Sequence, residues 1–236
     1  MKLSIIIPAY NEEATIVTLL DKVIAVALPD GLEREIIVVN DGSRDQTAEL
    51  LQDYDRHPLV RRFDHAINLG KTEAVRTGLK QALGDIIIIQ DADLEYDPCQ
   101  YPLLLEPILK HNKPVVYGSR FMRKENKMHP VNFIANKMSL LTINLLFNTR
   151  ISDFHTGFKV FKKSALSGLK LTSKNFSFDT EITARLLTKK IEIYEIPIDY
   201  VPRTHAQGKK ITWGQAIETY FILIQCRLDQ LAEQKK

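Results

Sequence analysis

Acidic and polar residues directly follow three apolar runs of the sequence. The runs at residues 86–89, 3–7 and 35–39 lead into Gln90-Asp91-Ala92-Asp93-Leu94-Glu95, Pro8-Ala9-Tyr10-Asn11-Glu12 and Asn40-Asp41-Gly42-Ser43. Residues two apart on an extended segment point the same way, so Asp91 and Asp93 place two carboxylates together. Mg²⁺ or Mn²⁺, bound by one or two carboxylates and by diphosphate oxygens, neutralises such a pair. The pattern predicts a divalent-metal site for a nucleoside diphosphate.

Each of these motifs also has an ordinary structural interpretation. An Asp-x-Asp pair is common as a solvated surface feature, and Asn40, Asp41 and Gly42 are residue types that favour a turn with a helix cap. The apolar strand that precedes Asp91 favours the metal interpretation for Asp91 and Asp93.

The elements that must position these residues alternate between strands and helices. We predict strands at residues 3–7, 35–39, 60–63, 86–90 and 115–118, with amphipathic helices at 12–25, 47–54, 71–82 and 100–110. Further on, helices are predicted at 131–147, 179–188 and 213–231, and strands at 159–161 and 192–200. This alternation is typical of a parallel sheet covered on both faces. Ligands of such sheets bind beyond the carboxyl ends of the strands, where the acidic motifs lie.

The composition predicts one ordinary globular domain, residues 1–236. The chain is 44% hydrophobic and 26% charged, and its formal net charge of +3 is too slight to indicate nucleic-acid binding. Cys99 and Cys226 have no metal-ligand spacing, which favours a reducing compartment and a cytoplasmic location, with a peripheral position on the inner face of a membrane as the second expectation. The sequence has no apolar run approaching the length of a membrane span.

Four segments together resemble family 2 inverting glycosyltransferases with the GT-A fold. They are Ile5-Ile6-Ile7-Pro8-Ala9-Tyr10-Asn11-Glu12, Val38-Val39-Asn40-Asp41-Gly42-Ser43, Asn68-Leu69-Gly70-Lys71 and Gln90-Asp91-Ala92-Asp93-Leu94-Glu95. Three later segments are similar to the dolichyl or polyprenyl phosphate mannose or glucose synthases: Tyr117-Gly118-Ser119-Arg120-Phe121, Thr156-Gly157-Phe158-Lys159, and Glu195-Ile196-Pro197-Ile198 with Arg203.

The resemblance implies an α/β architecture of the GT-A nucleotide-diphospho-sugar transferase type. It has a Rossmann-like, mostly parallel central sheet flanked by helices, with C-terminal helices on the acceptor side. Residues 1–119 are then the nucleotide-sugar-binding half and residues 120–236 the acceptor-binding half.

The resemblance also implies roles for single residues. Base and ribose contacts fall to Pro8, Ala9, Tyr10, Glu12 and Asp41. Metal and diphosphate contacts fall to Asp91, Asp93 and Glu95, with turnover depending on Asp93, and Lys71 contacts the sugar or phosphate end. Phosphate contacts of the acceptor or donor fall to Arg120, Arg203 and Lys209, for which surface salt bridges are the alternative.

The implied function is transfer of a hexose from a GDP- or UDP-linked sugar to a polyprenyl or dolichyl phosphate. Such an acceptor is already ionised and needs no general base. A soluble or saccharide hydroxyl acceptor is the alternative, and Asp153 is then the candidate base, unless it is a turn or capping residue. A non-catalytic nucleotide-sugar-binding protein is the alternative of another class.

The segment from Arg120 to Arg150 bears on the acceptor. Basic residues precede an apolar helix, which predicts contact with a membrane surface, and a plain core helix is the alternative. The last helix similarly allows a membrane-protein partner, a dimer interface or simple packing. A sugar nucleotidyltransferase is disfavoured because a Gly-rich loop does not follow the first strand.

Overall fold

Seven short segments form the strands of one sheet in the computed structural model, which describes residues 1–126, 130–173, 177–202 and 213–233. The strands are β1 (Lys2–Ala9), β2 (Glu33–Asn40), β3 (Val60–Asp64), β4 (Ile86–Ile89), β5 (Val115–Ser119), β6 (Lys159–Lys162) and β7 (Ile193–Pro197). All seven correspond to predicted strands, with shifts of a few residues at their ends.

The helices are α1 (Ile16–Ala25), α2 (Thr47–Leu50), α3 (Lys71–Gln81), α4 (Tyr101–His111), α5 (Pro130–Phe147), α6 (Lys163–Leu166), α7 (Phe178–Thr188) and α8 (Trp213–Glu233). Short 3-10 helices cover Leu51–Tyr54, Pro98–Gln100 and Arg120–Met122. The first predicted helix begins four residues late: Asn11 has a left-handed φ of 54°, and residues 13–15 form a turn in which the Thr15 and Ile16 amides donate to the Glu12 carbonyl.

The strand order is β3-β2-β1-β4-β6-β5-β7. Strands β1 to β5 and β7 run in one direction, and β6 lies antiparallel between β4 and β5. The register pairs Lys159, the first residue of β6, with Ile89 at the end of β4 and with Tyr117 in β5. Antiparallel insertion therefore brings the loop before β6 to the same edge as the carboxyl ends of the other strands.

The central strands are apolar on both faces because helices cover both sides of the sheet. All four residues of β4 are buried, and a core of Leu3, Ile5 and Ile7 packs with Leu19 and Leu20 of α1 on one face. On the other face, Ile6 and Ile37 pack with Ala74 of α3. Burial of this kind contributes roughly 1.5 to 3 kcal/mol for each large side chain and fixes the strand ends relative to one another.

Helices α5 and α8 pack together beside the sheet. Leu140 and Ile143 of α5 share a core with Leu223 and Cys226 of α8, which also includes Ala184 of α7. Within the part of the chain that the structure describes, no helix is both long and apolar enough to cross a membrane.

Candidate active site

The loops that carry the sequence motifs meet at one edge of the sheet. The carboxyl ends of β1, β2, β4, β5 and β7 lie there, together with the start of β6. The chain reverses its strand order between β1 and β4, and α/β sheets bind ligands in the crevice at such a switch point. Residues 8–12 and 91–95 flank this crevice.

The loops after β1 and β2 are tied to each other. Asn11 donates its amide to Ser43 Oγ (3.0 Å) and accepts at Oδ1 from the Arg44 amide (2.8 Å). Ala9 is buried, Pro8 and Glu12 are half-buried, and Tyr10 is 39% exposed. The predicted base and ribose residues are thus held together at the crevice, and their contacts with a nucleotide stay a prediction.

Asp41 is buried and its carboxylate already accepts three hydrogen bonds. Oδ1 accepts from the Leu69 amide at 2.9 Å and lies 2.7 Å from His65 Nδ1, and Oδ2 accepts from the Gly70 amide at 2.7 Å. Gly70 has a φ of 92°, which residues with a Cβ rarely adopt, and it directly precedes α3. Asp41 therefore fixes the start of α3 and with it Lys71. Its predicted contact with the base or ribose stays a prediction.

The side chain of Gln90 holds the turn after β4 in place by hydrogen bonds. The Gln90 amide donates to the carbonyls of Asp91 (3.0 Å) and Tyr96 (3.1 Å), and its oxygen accepts from the Tyr101 hydroxyl. Within the turn, Asp93 Oδ1 accepts from the Glu95 amide at 3.1 Å. The buried Glu95 side chain accepts from the Tyr200 hydroxyl at 2.9 Å, and its predicted role in metal binding stays untested.

Asp91 is enclosed by Lys71 and Gly157. The Lys71 ammonium lies 2.6 Å from Asp91 Oδ1. A Cβ at Gly157 would lie 2.5 Å from Asp91 Oδ2 and 2.7 Å from the Tyr96 ring, so this position has room only for glycine. Gly157 also donates its amide to the Tyr96 hydroxyl. The loop before β6 is therefore pressed directly against the acidic turn.

The residues at this turn fit a divalent cation for which the protein supplies only some of the ligands. Asp91 and Asp93 offer carboxylate oxygens, the ligands that Mg²⁺ and Mn²⁺ prefer. Over the described ranges, three or more His, Cys, Asp or Glu side chains do not converge on a common point. A magnesium ion bound through one or two carboxylates and substrate phosphates needs no such cluster. The Lys71 ammonium beside Asp91 shows that this position stabilises positive charge.

Arg120 and Asp153 form a buried ion pair on the far side of the crevice. Asp153 Oδ2 accepts from Arg120 Nε (2.7 Å) and from the Arg120 amide (3.0 Å), and Oδ1 accepts from Nη2 (2.8 Å). The guanidinium also lies 5.3 Å from the Tyr200 ring. The Arg120 side chain is 8% exposed and the Asp153 side chain 1%. The predicted roles of Arg120 in phosphate binding and of Asp153 as a base stay predictions. In the structure, the guanidinium and the carboxylate are paired with each other.

Glu195 holds the loop that carries Asp153. It accepts from the amide and hydroxyl of Ser152 at 2.7 and 2.9 Å and from the Asp153 amide at 2.9 Å. Burial raises the pKa of the Glu195 carboxyl above its usual range. The Glu-Ile-Pro motif at the end of β7 therefore positions Asp153 and, through it, Arg120.

Asp179, to which the sequence motifs assign no role, lies beside Lys71 and pairs with Lys159. Asp179, in the first turn of α7, lies 4.0 Å from the Lys71 ammonium and 2.5 Å from the ammonium of Lys159, which is fully buried. Burial disfavours the charged form of Asp179, but Lys159 and Lys71 together hold its pKa below the usual range. The sequence signals for this pair are the segment Thr156-Gly157-Phe158-Lys159 and the position of Asp179 at the start of a predicted helix.

His155 lies in the loop before β6. Its ring stacks on Phe154 at 3.9 Å. Burial lowers the pKa of His155 to about 4, against the opposing effect of Asp179. The imidazole is therefore neutral near pH 7. Arg203 and Lys209, the two remaining predicted phosphate contacts, lie outside the described residues.

Two curated proteins are similar in sequence to most of this chain. A dolichyl-phosphate beta-glucosyltransferase of Trichomonas vaginalis is 30% identical over 211 residues, which cover 83% of this chain and 62% of the relative. A dolichol-phosphate mannosyltransferase of Pyrococcus furiosus is 31% identical over 214 residues, which cover 89% of this chain and 59% of the relative. The chain thus spans about three fifths of the length of these curated relatives.

A solved structure has the same fold. Glucosyl-3-phosphoglycerate synthase from Mycobacterium tuberculosis, in complex with Mn²⁺, uridine diphosphate and glucosyl-3-phosphoglycerate, superposes with a TM-score of 0.73 at 19% identity. The alignment covers 97% of this chain and 79% of the synthase. The predicted GT-A architecture, with its mostly parallel sheet and flanking helices, is confirmed.

Residues 4–169 match the family model described as glycosyl transferase family 2. The match includes the turns after β1, β2 and β4 and the loop before β6, which together build the crevice. The chain belongs to glycosyl transferase family 2.

Proposed function

We propose that this chain transfers a hexose from a GDP- or UDP-linked sugar to a polyprenyl or dolichyl phosphate, with inversion at the anomeric carbon. The observation that carries the proposal is the acidic turn Asp91 to Glu95 at the switch point of the sheet, with Lys71 beside it. Two relatives named for transfer to dolichyl phosphate support the lipid phosphate as acceptor.

The donor lies in the crevice between β1 and β4. Pro8, Ala9, Tyr10, Glu12 and Asp41 line the base and ribose end. Asp91 and Asp93, with Glu95 beside them, would hold Mg²⁺ or Mn²⁺ at the diphosphate end of the crevice. A bound ion would supply charge neutralisation for the departing nucleoside diphosphate.

The transfer itself needs orientation more than acid-base chemistry. A phosphate oxygen of the acceptor forms the new bond to the anomeric carbon from the side opposite the leaving group, and the bond to the β-phosphate oxygen breaks. The ionised acceptor carries no proton to remove. Holding both reactants in line supplies most of the rate enhancement.

The geometry of Asp153 favours the phosphate acceptor over a hydroxyl acceptor. Both of its oxygens accept from Arg120, and its side chain is 1% exposed, so it offers a hydroxyl proton no accessible site. We assign Asp153 and Arg120 to shaping the acceptor side of the crevice. Phosphate contact then falls to Lys71, Arg203 and Lys209.

An apolar face on α5 and α8 supports a peripheral position on an anionic membrane surface. The side chains on this face are between 41% and 73% exposed: Ile134, Met138, Leu141 and Leu145 on α5, and Phe221, Ile224, Leu228 and Leu231 on α8. Residues 121–150 carry five Lys or Arg against one acid, Glu125. Apolar side chains flanked by positive charge, as on α5, are the composition that binds anionic lipid.

The direct test measures nucleoside diphosphate release with Mn²⁺ and a panel of nucleotide sugars, with and without polyprenyl phosphate. We expect release that requires the lipid phosphate and that Asp93→Ala abolishes. Asp97→Asn is the matched control, because its exposed carboxylate pairs with Lys22 away from the crevice. Release without lipid phosphate indicates a soluble or saccharide acceptor, and donor binding without release indicates a non-catalytic binding protein. Wild-type release by Asp93→Ala removes the metal assignment.

A further inference from the structure

Four charged side chains of alternating sign form a row beneath the crevice. The Lys71 ammonium lies 2.6 Å from Asp91 Oδ1 and 4.0 Å from Asp179 Oδ2. The Lys159 ammonium lies 2.5 Å from the other oxygen of Asp179. Lys71 therefore stands between two carboxylates, one at the candidate metal turn and one on α7.

Asp179 is fixed in place by contacts on its far side. Lys159, which is fully buried, holds Asp179 Oδ1 and also donates to the Thr156 carbonyl. The bond to Lys159 holds Oδ1 on the side away from Lys71 and leaves Oδ2 directed toward Lys71.

The position of Lys71 conflicts with ion binding by Asp91. Its ammonium occupies Asp91 Oδ1, and the Gly157 backbone lies against Asp91 Oδ2, since a Cβ built on Gly157 would be 2.5 Å from that oxygen. A divalent ion that binds Oδ1 displaces the ammonium, because two cations in contact with one oxygen repel each other strongly. Asp179 Oδ2, 4.0 Å from the same ammonium, is within reach of a side-chain rotation of Lys71.

We propose that Asp179 is a positioning residue that receives the Lys71 ammonium when a divalent ion binds Asp91. Before the ion binds, Lys71 pairs with Asp91. Afterwards, it pairs with Asp179 and is held beside the diphosphate. The exchange leaves no carboxylate of the row without a cation, which avoids the cost of an unpaired buried charge. This inference rests on the metal site of the proposed function.

The exchange predicts non-additive effects on ion affinity, which electron paramagnetic resonance of free Mn²⁺ measures directly. In the absence of nucleotide, we expect Lys71→Met to bind Mn²⁺ about tenfold more tightly, since no ammonium competes, and Asp179→Asn about tenfold more weakly. In the Lys71→Met background, Asp179→Asn should have little further effect, because no ammonium remains to be received. Lys80→Met, an exposed lysine on the same helix, is the matched control and should bind like the wild type.

The outcomes separate this inference from the proposed function. If Asp179→Asn weakens Mn²⁺ binding equally in the wild-type and Lys71→Met backgrounds, Asp179 acts only through its charge or through the fold. That result overturns the exchange. Unchanged or weaker Mn²⁺ binding by Lys71→Met also overturns it, and this test does not depend on the folding of the Asp179 variant. If the wild type binds no Mn²⁺ even with UDP or GDP present, the metal site itself is wrong.

Discussion

The buried pair of Arg120 and Asp153 gives a prediction that separates a structural role of Asp153 from a catalytic one. Asp153→Ala removes a carboxylate that accepts three hydrogen bonds from Arg120, two of them from the guanidinium. The guanidinium is only 8% exposed, so water cannot replace the lost partner. The variant leaves a charged group buried without its counter-ion.

The expected cost follows from that arrangement. Each hydrogen bond to a charged group contributes about 1.5 to 3 kcal/mol, part of which offsets the desolvation of both ions. Removal of one partner of a buried pair costs about 3 to 5 kcal/mol. Since a domain of this kind is stable by only about 5 to 15 kcal/mol, Asp153→Ala should lose a large part of its stability.

Urea denaturation followed by circular dichroism measures this loss. The matched control is Asp199→Ala, which breaks the ion pair of Asp199 with Arg123, where the two side chains are 64% and 39% exposed. Exposed pairs contribute about 1 kcal/mol or less, so the control should unfold close to the wild type. An Asp153→Ala protein with wild-type stability and no nucleoside diphosphate release would refute the structural assignment and restore Asp153 as a candidate base.

Three further predictions concern the crevice, its pH dependence and the membrane face. Gly157→Ala brings a methyl group to 2.5 Å from Asp91 Oδ2, so we expect overpacking to cost about 1 to 3 kcal/mol and Mn²⁺-dependent release to fall about tenfold; unchanged release would contradict this close approach. Because the pKa of His155 is lowered to about 4 from 6.5, the neutral imidazole stabilises the fold above pH 6.5, and this contribution is lost as the pH falls toward 4. When the pH falls from 7 to 5, the free energy of unfolding measured by urea denaturation should therefore decrease by about 2 kcal/mol more for the wild type than for His155→Gln. Equal decreases in the two proteins would refute this. The pair Leu145→Asp and Phe221→Asp, both 73% exposed in the wild type, should weaken sedimentation with phosphatidylserine vesicles about tenfold or more, and undiminished binding would exclude this face as the lipid contact.

The strands, the edge of the sheet and the family were predictable from the sequence. Runs such as Ile86–Ile89, apolar at every position, are typical of strands covered on both faces, and all four residues are buried. The polar motifs mark the carboxyl ends of the parallel strands, because a parallel sheet places all such ends at one edge. Local pattern was sufficient because these features depend on residues that are near one another in the chain.

The partner of each charge was decided by the tertiary structure alone. The sequence predicts a phosphate contact at Arg120 and a candidate base at Asp153, and it does not show that these residues, 33 apart, pair with each other. It predicts a metal ligand at Glu95 and does not show the hydrogen bond from Tyr200, 105 residues away. These predicted roles stay predictions. The antiparallel insertion of β6 brings Gly157 and Lys159 beside Asp91 and Asp179, and no local pattern encodes that order of strands. Spacing along the chain shows which residues share an edge, whereas the distance between two charges depends on how the packed sheet and helices bring distant segments together.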